Sequence, residues 1–350
     1  MAVAILVLAI VWTQDGGTLT GAEEFPGRRT HNPDWRHPRK PAHERKEERI
    51  IVKVPATTLL ILLTASYANS QEKDFPILTG PYLGQPAPVK EAIPFAPGIV
   101  SNGKNHSSVA ISPDGNELYW SGVKRKLWFT KLDGGRWTRP EVVSFCKADS
   151  FEYDNPFIAT DGNTMLFTSF RPGAVSRKKE TIWYSKRSPS GWLEPKAISP
   201  QVNETPLHWS ISVSQNGTLY FQFQDASGKS PGGIGDIYYS KLVNGEYGKP
   251  VSIGPAINTP VTETCPHIAP DESYIVFTRF DDTNPKNTGI FISYRDSLGK
   301  WLPAKLAVGG DRKSGGLSPR ISPDGKYLFF VNGGMWWMPA TFIDDSRQQQ

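Results

Sequence analysis

The sequence is short of cysteine, with two in 350 residues, and of methionine, with four. Cys146 and Cys265 stand 119 residues apart, which excludes a Cys-x-x-Cys metal site and a small disulfide-rich scaffold. Long apolar runs are missing too. Met1–Trp12 and Val54–Thr64 each fall well below the roughly twenty residues of a bilayer-spanning helix. A multi-span membrane protein is therefore excluded, and the mature chain is expected to hold no stable membrane span. Nor is there a surplus of one charge. Residues 1–70 hold nine Lys/Arg and seven Asp/Glu of the 39 and 34 in the chain, leaving 30 against 27 beyond them. No basic stripe follows a phosphate backbone, so no nucleic-acid partner is expected. A Gly-x-Ser-x-Gly elbow, a phosphate loop, a Gly-x-Gly-x-x-Gly turn and a sialidase Asp-box are all absent, and no cofactor is implied.

What is plentiful is turn-forming and aromatic: Gly 32, Pro 30, Phe 17, Tyr 12 and Trp 11, with 38% hydrophobic residues. Turn residues this dense among β-branched and aromatic runs point to many short strands. Enough apolar material is present to fill a core, so disorder of the whole chain is excluded.

The first seventy residues read differently from the rest. Residues 13–49 are charged, Pro-broken and aperiodic, which is the pattern of a disordered extension or of a start assigned too early. Residues 52–70 then read as a signal peptide: Lys53, an apolar run through Leu59-Leu60-Ile61-Leu62-Leu63, and Ala68-Asn69-Ser70 as a cleavage site. Translation from Val52 and a mature N-terminus at Gln71 are the expectation. The chain is thus expected to be exported, periplasmic or secreted. In such a compartment the two cysteines could pair, but their places in the repeat described next do not make them neighbours.

Beyond residue 70 one motif recurs five times: Ile111–Gly115, Ile158–Gly162, Val213–Gly217, Ile268–Glu272 and Ile321–Gly325. Its spacings are 47, 55, 55 and 53 residues. Two copies read Ser-Pro-Asp-Gly, at Ser112–Gly115 and Ser322–Gly325. Proline sets φ for the second position of a turn, Asp suits the third and Gly the left-handed position after it, so each motif predicts a hairpin. An aromatic strand follows each turn, for example Leu118-Tyr119-Trp120, then a third such as Ile182-Trp183-Tyr184. A fourth starts at a Gly-aromatic turn (Gly191-Trp192) and meets Pro140, Pro195, Pro250 or Pro303, as an edge strand tolerates.

Four short strands per unit of about fifty residues predict an all-β fold, a β-propeller. The fifth unit stops after its third strand, and the segment from Pro88 to Ser101 reads like a fourth. The expected architecture is five four-stranded blades closed by an N-terminal strand, with six blades as the alternative. The divisions are a disordered or spurious extension over 1–51, the signal peptide over 52–70, an N-terminal segment with the ring-closing strand over 71–105, repeats over 106–345 and a tail over 346–350.

These Ser-Pro-Asp-Gly units followed by aromatic strands resemble the WD40-like repeats of bacterial envelope proteins related to the TolB-type propeller. Leu83-Gly84-Gln85 with Pro88, the run Phe95–Ser101 and His106-Ser107-Ser108 are similar to the leading motifs of exported bacterial propeller proteins. The resemblance covers essentially residues 80–345. It implies the propeller fold and export.

Ligands of propellers gather at the channel mouth, reached by residues just before the inner strand of each blade. Seven residues before the Pro113-equivalent stand His106, Tyr153, His208, Glu263 and Gly316; the next ring is Ser107, Asp154, Trp209, Thr264 and Leu317. His106, Tyr153, Asp154, His208, Trp209 and Glu263 are the candidate ligand-binding residues. His106, His208 and Glu263 make a weak metal candidate, since two imidazoles and a carboxylate can hold a divalent ion; solvated mouth residues are the plainer reading. Asp154 and Glu263 could act as acid and base on a glycan, but blades 1, 3 and 5 supply no third carboxylate to these rings. No catalytic residue is assigned. The leading expectation is a non-enzymatic, monomeric propeller that binds a protein or an envelope polysaccharide through the mouth. The alternative is a glycan-acting hydrolase or lyase at the same place.

Overall fold

The computed structural model describes residues 75–101, 109–147, 150–172, 180–204, 210–223, 235–309 and 316–347. The expected extension, the signal peptide and the candidates His106, His208 and Trp209 lie outside the described residues.

Each predicted hairpin forms for the reason its residues suggest. In the first, Ser112 Oγ donates to Asp114 Oδ1 (2.5 Å), Asn116 N donates to the same oxygen (3.0 Å), and Gly115 takes φ +73°. The fifth repeats this with Ser322, Asp324 and Lys326 N at 2.6 and 3.1 Å. In the third, Asn216 takes the Asp role, accepting from Thr218 N at 3.0 Å. The fourth departs furthest, because Glu272 occupies the glycine position at φ +60°. Its carboxylate holds Arg295 at 3.2 Å and accepts from Ser214 Oγ of the preceding blade at 3.0 Å. These contacts offset a backbone conformation that costs a non-glycine residue on the order of 1 kcal/mol.

Strands grow from these turns into five antiparallel sheets. The inner strands are Ala110–Ile111, Tyr153–Ile158, Ile211–Val213, Thr262–Ile268 and Leu317–Ile321. Each pairs with a second strand and that with a third, as Tyr153–Ile158, Thr164–Ser169 and Thr181–Ser188 do in blade 2. Outer strands are short where proline interrupts them. Arg136–Trp137 and Glu141–Val142 both pair with Leu127–Asp133, on either side of Pro140, whose missing N–H breaks the ladder.

Blade 5 takes its outer strand from the N-terminal segment, as the repeat predicts. Ile93 pairs with Trp337 and Pro94 with Trp336. Gln85 clamps this strand, donating from Nε2 to Pro94 O (2.8 Å) and accepting at Oε1 from Ala96 N (2.6 Å). Leu83, Phe95 and Val100 are buried, and Met335 N donates to Ser101 Oγ at 3.1 Å. The leading motifs Leu83–Pro88 and Phe95–Ser101 thus close the ring.

The core lies between blades. Among the described residues five apolar clusters alternate with the five blades, including one between blades 5 and 1 that joins Phe329 and Trp337 to Leu118 and Trp120. That last cluster closes the ring at five blades, not six. Arginine–tryptophan stacks latch neighbouring turns: Arg187 lies 4.3 Å from the Trp192 ring centre while holding Glu117 of blade 1. Both cysteines are buried and no disulfide joins them, Cys146 lying in the blade 1–2 connection and Cys265 on the blade 4 inner strand. The described chain ends in a helix, Phe342–Arg347, which the repeat does not announce.

Candidate functional site

A β-bulge in the inner strands decides what faces the channel. Asn155, Ser210, Cys265 and Ser318 stand at one register position and all adopt φ between +50° and +54°. In blades 2, 4 and 5 the ladder shifts register around this residue. A bulge re-aims the residues on either side of it.

Upstream of the bulge, the expected mouth residues meet partners within the protein. Tyr153 is fully buried against Phe145 and Phe167 between blades 1 and 2. Glu263 is also fully buried and pairs across the sheet with Arg279, whose Nε donates to its Oε1 at 2.8 Å. Thr259 adds a backbone N–H at 3.0 Å and a hydroxyl at 2.6 Å. Burial pushes the Glu263 carboxyl up, and Thr259 and Arg279 pull against it. Gly316, at the same position of blade 5, has no room for a side chain, since a Cβ there would lie 2.1 Å from Phe330 Cδ2.

Asp154 joins a larger constellation between blades 1 and 2. Arg125 Nη2 donates to its Oδ2 at 3.0 Å, Nη1 reaches Glu152 at 2.9 Å, and Glu180 lies 3.6 Å away. Thr168 Oγ1 donates to Glu180 Oε1 at 2.7 Å and accepts from Asn155 Nδ2 at 3.1 Å. Burial pushes the Glu180 carboxyl up to about 7; Asp154 adds to this, while the Thr168 hydroxyl and Arg125 oppose it. One half-buried guanidinium therefore faces three carboxyl groups, and burial favours the neutral form of Glu180. Arg125 ends the short turn Val123–Arg125, in which Lys124 and Arg125 both have positive φ (59° and 48°) and Val123 is exposed.

Asp154 and Glu263 accordingly hold different arginines. Among the described residues no group of three His, Cys, Asp or Glu is placed to hold a metal ion. Two of the three suggested ligands, His106 and His208, lie outside the described residues.

Sequence reasoning missed a second basic group at the other end of the channel. Three residues before the Pro113-equivalent stand Ala110, Phe157, Ser212, His267 and Arg320, one per blade. Arg320 crosses the channel: Nη2 donates to Ser210 Oγ (2.9 Å) and Ile211 O (2.7 Å), and Nη1 to Pro266 O (3.2 Å). Its guanidinium lies 5.5 Å from the Phe157 ring centre. Reading the repeat at this later register would have found both His267 and Arg320, because inner strands alternate about the bulge.

No protein-family model matches the chain, and no curated protein matches it in sequence. Solved structures do resemble it. TolB from Acinetobacter baumannii is 14% identical over 71% of this chain and 54% of its own, with a TM-score of 0.44. This chain thus spans about half the length of TolB. A gluconolactonase from Xanthomonas campestris is 11% identical over 76% and 97%, with a TM-score of 0.41. An α-L-arabinofuranosidase from Lactobacillus brevis is 12% identical over 69% and 92%, with a TM-score of 0.45. At such identities the likeness bears on the fold alone.

Proposed function

We propose that this chain is an exported, non-enzymatic and monomeric propeller that binds a protein or an envelope polysaccharide at the channel end where the inner strands begin. The supporting observation is the engagement of the carboxylates there. Asp154 and Glu263 are each held by an arginine, and Glu263 is sealed from solvent. A hydrolase of glycans needs two carboxyl groups facing one substrate. A binding surface needs only fixed charge and shape, and the strained turn Val123–Arg125 offers both at the rim. Support for export is the signal-peptide pattern over 52–70. No helix among the described residues is long and apolar enough to cross a membrane.

One observation favours the alternative. Glu180, protonated to about pH 7, stands beside Asp154. A neutral acid next to a second carboxyl group is the pairing that glycan hydrolysis uses. Co-sedimentation of the full chain with isolated envelope polymers, run beside cross-linking to envelope proteins, tests the first reading. Binding that is weakened by Lys124→Glu, with an unchanged melting temperature, is the expected result. Equal binding by wild type and variant would remove the rim from the account.

A further inference from the structure

At the hairpin-turn end, the protein itself fills four of the five seams between neighbouring blades. Seams 1–2 and 3–4 carry arginine latches. Arg187 pairs with Glu117 and stacks on Trp192, while Arg295 lies 3.2 Å from Glu272 and 4.6 Å from the Trp301 ring centre. Seam 4–5 takes Ile343 of the final helix, packed with Val276, Ile292 and Tyr294. Seam 5–1 takes residues 78–82 of the N-terminal segment. Tyr82 enters it with its ring centre 5.4 Å from those of both Tyr327 and Trp337, and its hydroxyl donates to Asp324 Oδ1 at 3.2 Å. Trp137 of blade 1 holds the backbone of this segment, donating from N to Leu78 O (2.9 Å) and from Nε1 to Gly80 O (2.7 Å).

Among the described residues seam 2–3 has no such filling and holds a cavity of about 600 Å³. Strand register explains the gap. Leu242 occupies the position of Arg187 and Arg295, so no guanidinium crosses from blade 3. The wall opposite matches the socket that receives Tyr82. Leu166 and Tyr184 stand where Phe329 and Trp337 stand in blade 5, Thr164 stands at the place of Tyr327, and Asp161 is the turn carboxylate equivalent to Asp324. Tyr247 is the counterpart of Trp137 in the outer hairpin. All of these line the cavity, and it is roomy because Thr164 and Leu166 are smaller than the residues they replace.

Two polar groups there can be reached. Asp161 is exposed and, like Asp324, can accept a donor beyond those of its own turn. Tyr247 is half-buried, and its hydroxyl has no partner among the described residues yet is not sealed from solvent. Burial raises it to about 12, so it keeps its proton and can donate.

We propose that seam 2–3 docks a peptide segment of a partner protein that presents a tyrosine, with the ring on Leu166 and Tyr184, the hydroxyl on Asp161 and a preceding carbonyl on Tyr247. The occupant follows from the way the chain fills the equivalent socket at seam 5–1. The volume lies within the roughly 300–1,000 Å³ of ligand pockets, and a buried aromatic anchor is how such segments are usually held. The site lies at the turn end, away from the rim around Arg125, and does not depend on binding there.

A synthetic peptide of residues 75–84, titrated calorimetrically into the full chain, is the probe. Saturable binding is expected, and the same peptide carrying Tyr82→Ala should bind about tenfold more weakly or worse. In the protein, Leu242→Arg puts a guanidinium where two other seams have one and should abolish binding; because Leu242 is exposed, the melting temperature should not fall. Tyr247→Phe removes a hydroxyl that makes no bond in the fold and should weaken the peptide severalfold. Binding to wild type weaker than about 1 mM would overturn the proposal. So would equal binding of the Tyr82→Ala peptide. Binding that Leu242→Arg leaves unchanged would also overturn it, by placing the peptide at seam 5–1 in exchange for the chain's own segment.

Discussion

Glu180→Gln should change the pH dependence of stability in a calculable way. In the fold this carboxyl is protonated to about pH 7, against an ordinary value of 4.5. A raised pKa gives stability that is complete below the unfolded value and is lost as pH rises through the folded one. The difference of about 2.5 units corresponds to about 3 kcal/mol lost by wild type between pH 4.5 and 8, at 1.36 kcal/mol per unit. Glutamine mimics the neutral acid and still accepts from Thr168, so the variant should not show this loss. For a chain of this size 1 kcal/mol moves the melting temperature by roughly 2–4 °C. Melting curves of both proteins should therefore nearly coincide at pH 4, with the variant higher by roughly 6–12 °C at pH 8. Parallel profiles from pH 5 to 8 would refute the assignment of a neutral buried acid beside Asp154.

Three other substitutions probe the frame. Arg279→Met leaves Glu263 buried and unpaired, and should cost about 3–5 kcal/mol in denaturant unfolding at pH 7. Adding Glu263→Gln should recover much of that loss, since the orphaned charge is gone. Gln85→Ala removes both hydrogen bonds that hold the closing strand and should cost about 1–3 kcal/mol, with amide exchange rising first at Phe95 and Met335. Gly316→Ala drives a methyl into the Phe330 ring and should lower stability by about 1–3 kcal/mol, read from the melting temperature.

The fold was legible in the sequence because its signals are local and repeated. Asp114, Asp161 and Asp324 each accept from the backbone N–H two residues on, a bond set by local sequence, so their spacing marks the blades. Ring closure was legible from a missing part, the fourth strand of the last unit. Site geometry was less so. Counting back from the turn put Tyr153 and Glu263 just before their inner strands, whereas both lie within them, and the facing of each side chain depends on the bulge at Asn155 and Cys265. Asparagine tolerates the left-handed conformation that these residues take and cysteine does not favour it, so residue type gives no common signal for the bulge. The arginines that hold Asp154 and Glu263 come from the turn after a second strand and from a second strand, where repeat register gives no hint of charge pairing. Glu180 escaped notice for the same reason: its raised pKa arises from burial.

Release of reducing ends from envelope glycans by the full chain, followed from pH 5 to 8, separates a binding propeller from a hydrolase. No turnover is expected, with the same chain binding envelope material at its rim. Turnover that Glu180→Gln or Asp154→Asn abolishes, in a protein that still folds, would contradict that expectation and make the constellation around Arg125 an active site.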